Sequence, residues 1–150
     1  MPQARVTALR DTVGFQHAQD DYWYRPLVLG DNLFSYVAHV PPGGDMPASA
    51  EEAELFELSL FMLGGRLHVL FGDDEFDIAA GEALFIPRGV PFGVRNTTAE
   101  VGTFLLTFTP PPSITSVEEL AERFRARGKV VKSPAEMAEM VGSSPIPGNV

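Results

Sequence analysis

Short apolar runs of five to nine residues, separated by clusters of Gly, Pro, Asp and Asn, dominate the first two thirds of this chain. Tyr22–Gly30 is aromatic and β-favouring, and Phe34–Val40 ends at the turn Pro41-Pro42-Gly43-Gly44. Leu55–Leu63 is the most hydrophobic stretch; with Gly64-Gly65 and the run Arg66–Gly72 it predicts a hairpin. Leu67, Val69 and Phe71 alternate with Arg66, His68 and Leu70, which turns the first set towards a core. Asp73-Asp74 starts a further tight turn, followed by Glu75–Gly81, Ala83–Pro87 and a last strand over Gly102–Thr109. That makes about eight strands between Tyr22 and Thr109. The first twenty or so residues carry only a short strand-like Val6–Leu9.

After Pro110-Pro111-Pro112 the period changes. Ser116-Val117-Glu118-Glu119 has the form of a capping box, and Val117, Leu120, Ala121 and Phe124 fall on one helical face that Gly128 ends. Ser133-Pro134-Ala135-Glu136 opens a second helix, with Met137, Met140 and Val141 as its apolar side and Gly142 as its end. Both are too short to stand alone and must dock on the strands. The expected division is an N-terminal arm over 1–21, a barrel over 22–112, helices packed on it over 113–142 and a tail over 143–150.

Composition narrows the partners. The 150 residues are 45% hydrophobic, enough for one domain with a real core. The net charge of −9 opposes binding to nucleic acid. No basic amphipathic helix or long apolar run suggests a membrane. There is no cysteine, so sulfur redox chemistry and disulfides are excluded. A cytoplasmic protein is the simplest expectation.

Many short strands with glycine turns predict an all-β double-sheet jelly roll. Within it, Gly81, Pro87, Gly89, Phe92 and Asn96 stand at the intervals of the second cupin motif, in which Phe92 takes the place of a histidine. Gly44, Ala48, Ala50, Glu57 and Gly64 follow the first motif, with about two extra residues between Ala50 and Glu57. The chain therefore resembles the cupin superfamily over roughly Tyr22 to Thr109, as a small single-domain member with degenerate metal-binding motifs. The resemblance implies a double-stranded β-helix (the cupin jelly-roll barrel) carrying two short C-terminal α-helices.

Cupins hold their metal with three histidines and a glutamate. Here the three histidine places are Ala48, Ala50 and Phe92, which offer no lone pair, so neither metal nor cofactor is expected. Of His17, His39 and His68, none has motif spacing; His39 could face the barrel interior, and His68 is expected to point away from the core. Alternation from Glu57 puts Ser59, Phe61 and Leu63 on its face, and Phe92 is followed into the cavity by Val94 and Asn96. The expected site is a mostly apolar cup lined by Tyr36, His39, Ala48, Ala50, Ser59, Phe61, Phe92 and Val94 around one carboxylate, Glu57.

Three functions compete. In the first, Glu57 is the general acid or base of a metal-independent lyase, dehydratase, isomerase or cyclase acting on a small apolar or aromatic metabolite, as in natural-product pathways. Its structural alternative is a carboxylate paired with an arginine or tyrosine and doing no chemistry. The second function is a non-catalytic small-molecule-binding cupin, and the third a dioxygenase-like cupin with displaced metal ligands. Tyr22, Trp23 and Tyr24 could cap the mouth, though such clusters are more often core or interface. The acidic Glu51–Glu54 run, expected at the rim, would disfavour anionic ligands. The resemblance also implies a homodimer, with Arg5–Gly14 as an arm able to cover the partner's sheet.

Overall fold

The computed structural model describes residues 3–19, 21–48, 55–114 and 116–141. Eleven strands among them form two sheets. They are β1 (Gly14–Gln16), β2 (Trp23–Leu29), β3 (Phe34–Val40), β4 (Asp45–Met46), β5 (Glu57–Gly64), β6 (Arg66–Phe71), β7 (Asp74–Ala79), β8 (Ala83–Ile86), β9 (Phe92–Arg95), β10 (Gly102–Thr109) and β11 (Val130–Lys132). The larger sheet runs β11-β1-β2-β3-β10-β5-β8 and the smaller β4-β9-β6-β7. Every strand pairing is antiparallel. Their inner faces pack together, and two helices follow: α1 (Val117–Ala126) and α2 (Pro134–Val141). The all-β jelly roll with two short helices expected from the sequence is the observed architecture. No helix among the described residues is long and apolar enough to cross a membrane.

The Gly64-Gly65 pair does not close a hairpin. β5 pairs with β10 and β8, whereas β6 pairs with β7 and β9, so the glycines carry the chain from one sheet to the other. Gly65 has φ +76°, and a Cβ there would stand 2.7 Å from the Val101 carbonyl oxygen. Both the conformation and the space exclude a side chain. The expected strand at Val6–Leu9 is also absent. A single 3₁₀ turn, Leu9–Asp11, takes its place, with the Thr12 hydroxyl donating to the Leu9 carbonyl at 2.6 Å.

The arm belongs to its own barrel. Gly14–Gln16 joins the larger sheet between β2 and β11, and Arg5 donates to the Leu29 carbonyl at 2.7 Å. Both helices start on the expected caps. Ser116 Oγ accepts from the Glu119 amide at 3.1 Å; Ser133 and Glu136 exchange side-chain-to-backbone bonds at 3.2 and 3.0 Å. The second helix buries Met137, whose thioether lies over Gly14, while Met140 is exposed.

The outer face of β1–β2–β3 carries a buried polar layer. Arg25, 1% exposed, donates from Nε to Thr12 Oγ1 at 2.9 Å and from Nη2 to the Thr12 carbonyl at 3.1 Å. His39 lies on this face and not in the barrel interior, because Phe34, Tyr36, Ala38 and Val40 take the inward positions of β3. Its Nδ1 contacts Thr103 Oγ1 at 3.2 Å, and its buried Nε2 has no partner among the described residues.

Burial, reinforced by the Arg25 charge, holds the His39 pKa down to about 4, from 6.5. The unfolded chain therefore binds the proton more readily than the folded one. The neutral ring's contribution is complete above pH 6.5 and is lost as pH falls towards 4, about 3 kcal/mol in all. Urea unfolding at pH 7 and pH 4 should show His39→Leu losing less stability than wild type over this interval. Equal losses in the two proteins would contradict the assignment.

Candidate functional site

The space between the sheets is filled at one end and open at the other. Ala38, Val40, Met62, Leu67, Val69 and Phe104 pack the filled end, each no more than 1% exposed. At the open end lies a cavity of about 500 Å³. Its floor is Phe34 and Tyr36 of β3, Ile86 of β8 and Leu106 and Phe108 of β10; Leu58 of β5 and Phe92 of β9 stand on the walls. Met46, Pro47 and Ala48 edge it on one side, and α1 closes the other with Leu120, Arg123 and Phe124.

Aromatic rings form a continuous wall. Tyr22, Tyr24 and Tyr36 form a triangle, with ring centroids 5.7 Å (Tyr22–Tyr24), 5.0 Å (Tyr24–Tyr36) and 6.3 Å (Tyr22–Tyr36) apart, and Phe124 of α1 is 6.1 Å from Tyr24. His17 stacks on Tyr24 at 5.8 Å and lies 4.8 Å from Phe124. This layering continues through Phe34 and Phe108, 5.3 Å apart. Such offset and tilted pairs hold flat, rigid surfaces around the space. The polar groups at the cavity are His17, Asp21, the tyrosines, Arg123 and Arg127. Burial lowers the His17 pKa, as do the charges of Lys129 and Arg127, so the ring is neutral at pH 7.

Several expected site residues fall elsewhere. Glu57 is exposed on the outer face of β5, and Ser59 and Phe61 share that face. The inward residues are Leu58, Leu60 and Met62, which lie beside Phe108, Leu106 and Phe104 of β10. A run apolar on both faces gave two possible parities, and a one-residue shift exchanges them all. Glu57 and Ser59 border a depression of about 170 Å³ together with Phe85, Thr107 and Thr109, separate from the cup. His39 is likewise outside the cup. Val94 is buried in the core, and Asn96 clamps a loop by donating to the Val40 and Glu100 carbonyls at 2.9 and 2.7 Å.

Tyr36, Ala48 and Phe92 do line the cavity. Ala50 and the Glu51–Glu54 run lie outside the described residues. Of the aromatic trio, Tyr22 and Tyr24 line the cup, while Trp23 points to the opposite face, under Lys132 Nζ at 5.1 Å from the ring centroid. His68 points away from the core, its Nδ1 2.9 Å from Asp77 Oδ1 and its Nε2 3.1 Å from Glu75 Oε1. The contribution of α1 to the cup lies beyond what the motifs predict. The apolar positions Leu120 and Phe124 give the only signal for it, since a helix that must dock covers whatever face it meets.

A metal of the cupin kind does not fit the donors present. Ala48 and Phe92 supply no lone pair, and the Glu57 carboxylate is on the outside. No group of three or more His, Asp or Glu side chains that could hold an ion gathers among the described residues.

Fold and cup together define a small double-stranded β-helix protein with an open, aromatic interior. A family profile described as Cupin domain matches residues 36–108, and the chain belongs to the cupin superfamily. Among curated proteins, none matches the sequence. Solved structures match in fold. An RmlC-like cupin from Shewanella frigidimarina superposes with a TM-score of 0.65 at 17% identity, over 74% of this chain and 95% of that one. The polyketide cyclase RemF from Streptomyces resistomycificus does so with a TM-score of 0.63 at 21% identity, over 82% and 94%. A protein from Thermus thermophilus, TT1209, is 25% identical, with a TM-score of 0.58 over 65% and 90%.

The strand parity is directly testable by urea denaturation. Glu57→Gln should change stability by less than about 0.5 kcal/mol, and Leu60→Ala should cost about 2–5 kcal/mol. The opposite order of effects would turn the acidic face inward.

Proposed function

We propose that this protein binds a planar, largely apolar aromatic small molecule in the cup, without a metal. The observation that carries this reading is the wall of Tyr22, Tyr24, Tyr36, Phe34, Phe108 and Phe124 around about 500 Å³ of space. That volume suits a fused two- or three-ring compound, which flat side chains recognise at small entropic cost. The donor set just described favours metal independence, and it counts equally against the dioxygenase-like alternative.

Binding without turnover is favoured over acid–base catalysis by Glu57, whose carboxylate faces away from the cup. A second reading is a cyclase- or isomerase-type proton transfer with His17 as the base. It is supported by the position of that imidazole on the cavity wall and by its neutral state at pH 7. The RemF likeness, at 21% identity, concerns the fold alone.

A homodimer is supported by Phe61 and Phe85, 41% and 61% exposed on the outer face beside the edge strand β8. A cytoplasmic location rests on the acidic, cysteine-free composition.

Calorimetric titration with 2-naphthol tests the cup. Saturable binding with a Kd on the order of 0.1 mM is expected, from about −0.5 kcal/mol per heavy atom. Ala48→Trp places an indole at the mouth, on an exposed position that folding tolerates. It should weaken binding about tenfold or more. Undiminished affinity in Ala48→Trp, or no saturation in wild type, would contradict the reading.

A further inference from the structure

We infer that the ligand carries one negative charge, a carboxylate or equivalent oxyanion on its aromatic frame, and that Arg127 receives it at the mouth of the cup. This rests on the cup being a binding site for an aromatic molecule, and it specifies the chemistry of that molecule.

Among the described residues, four charged or titratable side chains border the cavity apart from its tyrosines: His17, Asp21, Arg123 and Arg127. Asp21 is an acid and repels an oxyanion, so it is not the receiving group. Arg123 Nη2 donates to Glu119 Oε1 at 2.7 Å along α1, which neutralises it. Arg127 differs. Its backbone N–H closes the helix on the Arg123 and Phe124 carbonyls, but no carboxylate of the described residues lies within ion-pair distance of its guanidinium. Other arginines of the described residues also lack an acid, Arg125 among them; what sets Arg127 apart is that it also lines the cavity.

The electrostatic setting agrees. Lys129 Nζ donates to the His17 carbonyl at 3.1 Å, which brings a second cation to the same end of the cavity. The charges of Lys129 and Arg127 both disfavour a proton on His17, so their positive field reaches the cup wall. A neutral imidazole leaves that field to be satisfied by an anion. The plainer role for Arg127 is to complement the C-terminal end of the α1 dipole. Arg125, in the last turn and without an acid partner among the described residues, already does this. A dipole role does not require a guanidinium on the cavity wall.

The geometry divides the ligand in two. Its rings lie among Tyr24, Tyr36 and Leu106, and its oxyanion meets a forked, charge-assisted donor at the α1 end. Arg127 is exposed, so the gain is modest, about tenfold in affinity.

The test compares 2-naphthoate with its neutral isostere 2-naphthamide by calorimetry on the whole chain at low salt and pH 7.5. Wild type should bind naphthoate about tenfold more tightly. Arg127→Gln should erase that preference, bringing the two affinities to within about twofold of each other. Arg125→Gln removes the same charge from the same helix at a side chain that does not line the cup, and it should keep the preference. Equal affinities for the two probes in wild type, or equal losses in the two variants, would overturn the assignment while leaving the cup intact. Absence of binding by both probes would overturn the cup and the assignment together.

Discussion

The pairing of β10 with both β3 and β5 sets the interior of this protein. Seven residue pairs join β10 to β3, from Gly102↔Val40 to Phe108↔Phe34, and seven more join it to β5. Because side chains alternate across a strand, this one register decides which half of each strand faces inward. Phe104, Leu106 and Phe108 turn in; with them turn Ala38, Tyr36 and Phe34 on one side and Met62, Leu60 and Leu58 on the other. The acid at position 57 is then outside by the same rule.

Filling is uneven along this interior. Phe104, Met62 and Ala38 close one end against Leu67 and Val69 of the smaller sheet, where burial is complete. Towards Phe108 the space widens, and its walls are rings too rigid to collapse into it. The chain covers this end with α1, whose Leu120 and Phe124 are its barrel-facing residues. Covering an apolar opening with an amphipathic helix satisfies both surfaces and leaves basic residues at the rim.

Much of the architecture was legible. The turn residues of the two motifs, Gly81, Pro87, Gly89 and Asn96 above all, are dictated by backbone shape and survive where ligands have been replaced. Asn96 shows why: its amide ties the Val40 and Glu100 carbonyls, a task independent of any metal. The helix caps at Ser116 and Ser133 were readable for the same local reason. Long-range facts were not. The parity of β5 was ambiguous because Phe61 and Leu63 are as apolar as Leu58 and Leu60. The extra residues before Glu57 also loosened its alignment with the motif. Likewise, a Gly-Gly pair between apolar runs suits a hairpin and a sheet-to-sheet corner equally well; only pairing partners separate them. Tyr36, Ala48 and Phe92 were identified from motif and strand position, whereas His17, Phe124 and Arg127 come to the cup through tertiary docking.

The central claim is that the molecule's empty space lies inside the barrel, beneath α1, and accepts flat aromatic rings. A crystal structure grown with 2-bromonaphthalene tests it most directly, since the anomalous signal of bromine locates the probe without ambiguity. The expected position is between Tyr24, Tyr36 and Leu106, under Phe124. A bromine peak confined to the outer face beside Glu57 and Phe85, with the interior filled by side chains, would contradict the account.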